Sequence, residues 1–322
     1  MAFLTATVPM FLLIFAGYVA GRRTWMDDGG IKGLSAFAFY FALPLMLFRL
    51  MSDVPLADQF NGRFIIYYLA GGLAVYTLGA LVSRWVFKSS PAEQGIHGMA
   101  ASFGNQAIIA LPIAIDVFGE SATLPITMLI VFEAAVFMPL TIIILEVNRS
   151  GDGKFSAGRS RALFSTASLV ALKSVLFNPI IAAMLLGAAA SVIDFKLPRL
   201  LDGFVELVSL AAIPCALFAL GASLSRRPMT ESVGVTGVIV AIKMFIYPAV
   251  IFLIMILLPG LDPVWRATAI LAAAMPMGAN LYLVAETYNV NVGRASTGVV
   301  ISTALAAVTI SALTVFLVAG LP

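Results

Sequence analysis

Charge is the scarcest commodity in this 322-residue sequence. Asp, Glu, Lys and Arg together make up 11% of it, against about 25% in ordinary globular chains. So few ionic groups cannot cover the surface of a soluble chain this long, and a water-soluble fold is excluded. Cysteine is almost missing as well. Cys215 stands alone, which rules out an internal disulfide and leaves it as small filler after Pro214. The single histidine, His97, cannot build a multi-histidine metal centre. No glycine loop ending in Lys-Ser or Lys-Thr occurs, so the chain has no phosphate cradle for ATP. An intramembrane enzyme would need paired aspartates, a zinc motif or a serine–histidine dyad in the bilayer, and none is supplied. What is abundant is apolar: 61% hydrophobic residues and a mean hydropathy of +1.04. The composition is that of a polytopic membrane protein. The formal charge of +3 is scattered through short loops and is no nucleic-acid signal.

Apolar runs of about 20 residues cross a bilayer core about 30 Å thick. Ten such spans can be read, at roughly 2–21, 33–51, 63–87, 94–118, 121–147, 171–192, 203–224, 232–258, 266–289 and 295–320. The first is full length and lacks a basic leader, so it is read as a helix and not as a cleaved signal. With the N-terminus outside, the inner loops carry 13 Lys and Arg and the outer loops 5. That bias places both termini on the non-cytoplasmic side of a cytoplasmic (inner) membrane. The long basic loop 148–170 divides the spans into 1–147 and 171–322, five in each half. Span two holds Ala42-Leu-Pro-Leu-Met-Leu-Phe48 and span seven Ala212-Ile-Pro-Cys-Ala-Leu-Phe218, identical at four of seven positions. Five is an odd number, so a second copy enters the membrane from the opposite side, which is the inverted repeat of many secondary transporters.

Spans four and nine look interrupted. Span four reads Ser102-Phe-Gly-Asn-Gln-Ala-Ile-Ile-Ala-Leu-Pro112 and span nine Met275-Pro-Met-Gly-Ala-Asn-Leu-Tyr282. Glycine weakens a helix and proline removes a backbone donor, so Gly104, Gly278, Pro112 and Pro276 mark the expected breaks. Unwound backbone at that depth must be buried in protein or line a wet cavity. Each break also creates a helix N-terminus with unpaired N–H groups and partial positive charge. Two such ends make an anion site without a formal charge. Asn105, Asn280 and Gln106, with Gly104 and Gly278, are the candidate substrate-binding residues, the two asparagines as amide donors to a carboxylate.

Two charges lie deep in the bilayer: Glu133 in span five and Lys243 in span eight. An ionised group there costs about 2.5–3.5 kcal/mol on insertion scales, so each needs a partner or water. A mutual Glu133–Lys243 pair beside the breaks is expected, with Glu133 as the proton carrier and Lys243 as its charge balance. Static helix packing is the competing role for the pair. Glu286, Glu146, Asp116, His97, Arg49 and Glu206 are expected at the membrane interfaces.

These motifs resemble the auxin efflux carrier family. The resemblance rests on Met275-Pro-Met-Gly-Ala-Asn-Leu-Tyr-Leu-Val-Ala-Glu-Thr-Tyr-Asn-Val290 with Ser296-Thr-Gly-Val299, on Asn178-Pro179 with Gly187, on Ile213 to Leu224, and on Lys243-Met-Phe-Ile-Tyr-Pro248. It implies an all-α membrane fold of ten helices in two inverted five-helix repeats, with broken helices four and nine crossing at mid-membrane. Helices one, two, six and seven would be a scaffold and also the surface of a homodimer; the other six would move as a transport domain. The implied activity is secondary transport of an organic anion such as malonate, malate or an auxin-like acid, by an elevator-like or rocking exchange. No cofactor is implied, and a proton is expected as the coupled ion ahead of sodium. A facilitative uniporter or channel is the alternative. Unlike plant members, this chain has Gly104 and Asn280 where those carry prolines, no acidic residue in span three, and Glu133 where they carry glutamine.

Overall fold

The computed structural model describes residues 2–53, 61–149, 179–226 and 233–319. Residues 150–170 of the linker 148–170, the first part of span six and Asn178 lie outside these residues. Among the described residues the fold is all helical, and six helices are long and apolar enough to cross a membrane. The elements are α1 (Ala2–Arg22), α2 (Asp28–Ser52), α3 (Gly62–Trp85), α4 (Pro91–Ser102), α5 (Gln106–Phe118) and α6 (Thr123–Arg149). They continue with α7 (Pro179–Val192), α8 (Arg199–Ser225), α9 (Gly234–Leu257), α10 (Pro263–Ala273), α11 (Ala279–Tyr288) and α12 (Val292–Ala319).

Three helices contain a five-residue π turn, and each turn is followed by the same feature. Ala38–Ala42 precedes Leu43-Pro44, Gln106–Ala110 precedes Leu111-Pro112, and Ile242–Ile246 precedes Tyr247-Pro248. The proline has no N–H and its ring collides with the carbonyl four residues back. Widening the preceding turn relieves the collision. The N–H groups of Leu43, Leu111 and Tyr247 accordingly reach back five residues, to Ala38, Gln106 and Ile242. Pro112 therefore shapes a π turn inside α5, seven residues beyond Asn105, and does not sit in the break itself. In α8 the helix is interrupted at Ala211, just before Pro214.

α1 packs along the Ala212–Ser225 half of α8, and α7 along the Leu43–Ser52 half of α2. Glycine permits both approaches. A methyl group on Gly17 would run into the Phe218 carbonyl, and one on Gly187 into the Phe48 carbonyl. Gly17 and Gly187 are 170 residues apart, as are Phe48 and Phe218, Pro44 and Pro214, and the two Ala-to-Phe motifs.

Among the described residues, the polar contacts named here fall into two sets. Arg49 meets Asp202 at 3.7 Å and Glu206 at 3.4 Å, and Arg226 meets Asp28 at 3.3 Å, joining α2 or its start to α8. Elsewhere Arg294 meets Glu93 at 3.4 Å, Tyr76 meets Thr141 at 2.9 Å, and the Tyr288 hydroxyl donates to Glu146 at 2.8 Å. The ring pairs Phe64–Trp265, Tyr68–Tyr247, Tyr76–Phe137 and Phe252–Phe316 belong with these. Each of these contacts stays either within α2 and α8 or within α3–α6 and α9–α12. The two sets pack against one another where α1 meets α12 and α2 meets α6. A cavity of about 1250 Å³ lies between them, with Met46, Arg49 and Pro214 on one wall and Ile115, Leu124 and Trp265 on the other.

Candidate functional site

Both suspect spans are interrupted, and the interruptions meet. α4 ends at Ser102, Phe103 turns extended (φ −82°, ψ 121°), and helix resumes at Gln106. α10 ends at Ala273, and α11 starts after Gly278, itself extended at φ −66°, ψ 142°. Pro276 in this second gap disfavours helix at Met275 as well as at itself. Gly104 and Met277 form an isolated antiparallel bridge. The Asn105 N–H donates to the Pro276 carbonyl at 2.8 Å, and the Gly278 N–H to the Phe103 carbonyl at 3.2 Å. Two gaps that would each strand polar backbone in an apolar surround satisfy part of each other. The approach is close enough to require glycine: a methyl on Gly278 would lie 2.7 Å from the Phe103 ring and 3.0 Å from the Gly104 carbonyl oxygen.

Exchanging the bridge hydrogen bonds leaves the remaining N–H of Gly104 and of Met277 pointing away from the bridge, as in any pair of this type. Side chains from elsewhere take them up. Glu133 Oε1 on α6 accepts from the Gly104 N–H at 3.2 Å. Ser302 Oγ on α12 accepts from the Met277 N–H at 3.1 Å.

Glu133 and Lys243 are both sealed from solvent, at 1% and 0% exposure. The direct ion pair expected between them is absent: no nitrogen–oxygen approach within 4.0 Å joins them. Helix ends explain why. Lys243 Nζ donates to the Ala273 carbonyl at 2.9 Å, at the negative end of α10, and sits 4.5 Å from the centre of the Tyr247 ring. Glu133 has gone instead to the Gly104 amide, beside the positive start of α5. Lys243 Nζ lies 3.3 Å from where a Gly104 side chain would begin, so both charges flank the first interruption.

Asn105 is buried, and its side-chain Nδ2 donor has no hydrogen-bond partner. Gln106 is buried too; its Nε2 donates to the Tyr68 hydroxyl at 2.8 Å, while Oε1 is unpartnered. Asn280, the second residue of α11, is only partly buried. Asn105 reaches the second interruption through its backbone at Pro276, not through Asn280. An unpartnered buried amide donor, beside two helix N-termini and a lysine, is arranged to receive an anion.

Among the interfacial expectations, Asp116 and Glu286 are exposed, and Arg49, Glu206 and Glu146 are partly or well exposed in the contacts already named. His97 is enclosed by the protein. It is 3% exposed because Ser83 Oγ meets Nδ1 at 2.6 Å and the Asn291 amide meets Nε2 at 3.3 Å, satisfying both ring nitrogens inside the protein. Ser302, Tyr68 and Tyr247 were not singled out in the sequence, where a serine or tyrosine in an apolar span carries no marker. Among the described residues no cluster of three His, Cys, Asp or Glu could hold a metal.

The whole chain has relatives. A family described as "Membrane transport protein" matches residues 2–314. The chain is 29% identical over 314 residues to a Rhizobium meliloti (strain 1021) protein named "Putative malonate transporter", covering 97% of this chain and 95% of that one. It is 24% identical over 325 residues to auxin efflux carrier component 5 of Arabidopsis thaliana, covering 92% and 91%. Identity to the lysosomal cholesterol signaling protein of Mus musculus is 24% over 318 residues, which is 94% of this chain and 36% of that protein.

Proposed function

From the premise that this chain belongs to the membrane transport protein family shared with the auxin efflux carriers, we propose that it is a secondary active transporter of an organic anion. The chain is a multi-pass membrane protein of a transport family and not of an enzyme family. The single observation that carries the anion reading is the unpartnered Asn105 amide, held against two interrupted helices that pair with each other. In the proposed complex a carboxylate lies at the starts of α5 and α11, taking hydrogen bonds from free backbone N–H groups, from Asn105 and from Asn280. Lys243 offsets its charge. A small carboxylate of the malonate or malate kind is the proposed cargo, in line with the name of the Rhizobium relative.

The architecture we propose is ten spans in two inverted repeats, 1–147 and 171–322, with the interrupted helices crossing. Two observations support it. The Gly17–Phe218 and Gly187–Phe48 approaches interchange when each residue is shifted by 170. The two bridge hydrogen bonds interchange when each residue is shifted by 173, the separation of Gly104 and Met277. The two-fold axis of the proposed inverted repeat would relate both.

Alternating access is proposed as a movement of α3–α6 and α9–α12 against α1, α2, α7 and α8. Hydrogen bonds and ion pairs are short-ranged and directional, so a boundary they do not bridge slides at less cost. The named polar contacts lie to either side of that boundary, and the cavity of about 1250 Å³ opens along it. The α1, α2, α7, α8 unit would be fixed by pairing with a second copy, in a cytoplasmic membrane with both termini outside. Glu133 is the proposed proton carrier: of the two side chains that take up the outward N–H groups of the bridge, Glu133 and Ser302, only Glu133 can change charge, and protonation alters its grip on Gly104.

The test is a panel of mono- and dicarboxylates screened for thermal stabilisation of the purified protein. At least one carboxylate should raise Tm for the wild type and not for Asn105→Ala. If no carboxylate stabilises the protein, or Asn105→Ala responds as the wild type does, the site is elsewhere.

A further inference from the structure

The bridge between the interruptions sets the same problem twice. Gly104 and Met277 are the facing pair whose own N–H groups the bridge does not use. Both lie among buried residues, where an amide left unpaired is costly. The protein solves the problem once with a carboxylate, Glu133 at 3.2 Å, and once with a hydroxyl, Ser302 at 3.1 Å. Ser302 is fully buried, and its own hydroxyl hydrogen is committed to the Val299 carbonyl at 3.2 Å, one turn back on α12. Its lone pairs are thereby left facing Met277.

The two partners differ in what surrounds them. Glu133 is faced by Lys243 and Tyr247 from α9 and by Tyr68 from α3, so the first interruption sits in a cluster of titratable groups. Ser302 meets Met277 and Val299 and does not titrate. Lys243 also reaches the second interruption, at the Ala273 carbonyl, but the Met277 amide itself meets only Ser302. We propose that Ser302 is a positioning residue for the anion site, fixing the second interruption through the Met277 amide whether Glu133 is charged or neutral, so that the Gly104 amide responds to the Glu133 proton and the Met277 amide does not. The α11 end of the site then keeps its Met277 anchor whether or not Glu133 carries a proton.

This inference rests on the interruptions being the anion site, and its test is chosen to run without a substrate. Hydrogen–deuterium exchange of the full-length protein in lipid nanodiscs is followed in the segments holding Gly104 and Met277, with rates corrected for intrinsic pH dependence. Ser302→Ala should speed exchange at Met277 about tenfold and leave Gly104 unchanged. In the wild type, lowering the pH should speed exchange at Gly104 and not at Met277, and Glu133→Gln should remove that response. The account is overturned if Ser302→Ala leaves Met277 protected, if it loosens the whole chain evenly, or if acid loosens both segments alike. Uptake of radiolabelled malonate into liposomes supplies the second readout: Ser302→Ala should raise KM about tenfold with an unshifted pH profile, and a shifted profile counts against it. Absence of any carboxylate binding by the wild type would defeat the proposed function, while the exchange measurements would still decide the role of Ser302.

Discussion

The two interruptions share one antiparallel bridge and differ in nearly every side chain around it. The first, Phe103-Gly104-Asn105, is held by a carboxylate, flanked by a lysine and furnished with a buried free amide. The second, Met275 to Gly278, is held by a serine, and its nearby Asn280 is only partly buried. Pairing the gaps requires only two matched extended segments and a glycine small enough to admit the Phe103 ring. The side chain that takes up each gap's outward N–H comes from the second helix after it, α6 for the first and α12 for the second. A symmetric frame thus carries an asymmetric chemistry.

The sharpest way to break the comparison is to remove one charge of the first gap. Glu133→Gln or Lys243→Met alone strands an uncompensated buried charge, a change that typically costs about 3–5 kcal/mol. The double substitution should cost clearly less than the sum of the two. Denaturation of all three variants reads this, and additive losses would mean that the two charges do not sense one another. Next in size is the contribution of the two amides to binding. A hydrogen bond to a charged group is worth about 1.5–3 kcal/mol, so Asn105→Ala should weaken carboxylate binding about 10- to 100-fold. Because Nδ2 has no partner in the protein, Tm without ligand should hardly move. Asn280→Ala, at a wetter position, should weaken binding by a smaller factor. The glycines come third. Gly278→Ala, with 2.7 Å to the Phe103 ring, should destabilise by about 1–3 kcal/mol. Gly104→Ala should cost less, since its nearest contacts, Lys243 Nζ and Met275 Cβ at 3.3 Å and the Ala272 carbonyl oxygen at 3.4 Å, all stand farther off. The smallest expected change is in the binding step, and it is the most telling for coupling: Glu133→Gln keeps an oxygen for the Gly104 amide, so carboxylate binding should persist while the pH dependence of uptake flattens.

The breaks were legible in the sequence because glycine, asparagine and proline fell at mid-span in both halves, where a helix has no other use for them. The 170-residue echo between spans two and seven was legible for a similar reason: Pro44 and Pro214 bend both spans at corresponding points. The partner of Lys243 was not legible. Charge complementarity pointed to Glu133, but a helix C-terminus is an acceptor too, and where α10 ends depends on the break. Nor was Ser302. Shifting Glu133 by the 173 residues that relate the gaps lands on Ala306, one helical turn from the serine that does the equivalent work. His97 was placed at the interface on polarity alone, and only tertiary packing brings Ser83 and Asn291 to its two nitrogens.

The central claim is that an anion binds where the interruptions meet. A density map of the protein in nanodiscs with its stabilising carboxylate tests this most directly. The account predicts ligand density touching the Asn105 side chain and the starts of α5 and α11, between Lys243 and Asn280. Density confined to the cavity around Arg49 and Trp265, with the meeting point empty, would contradict it.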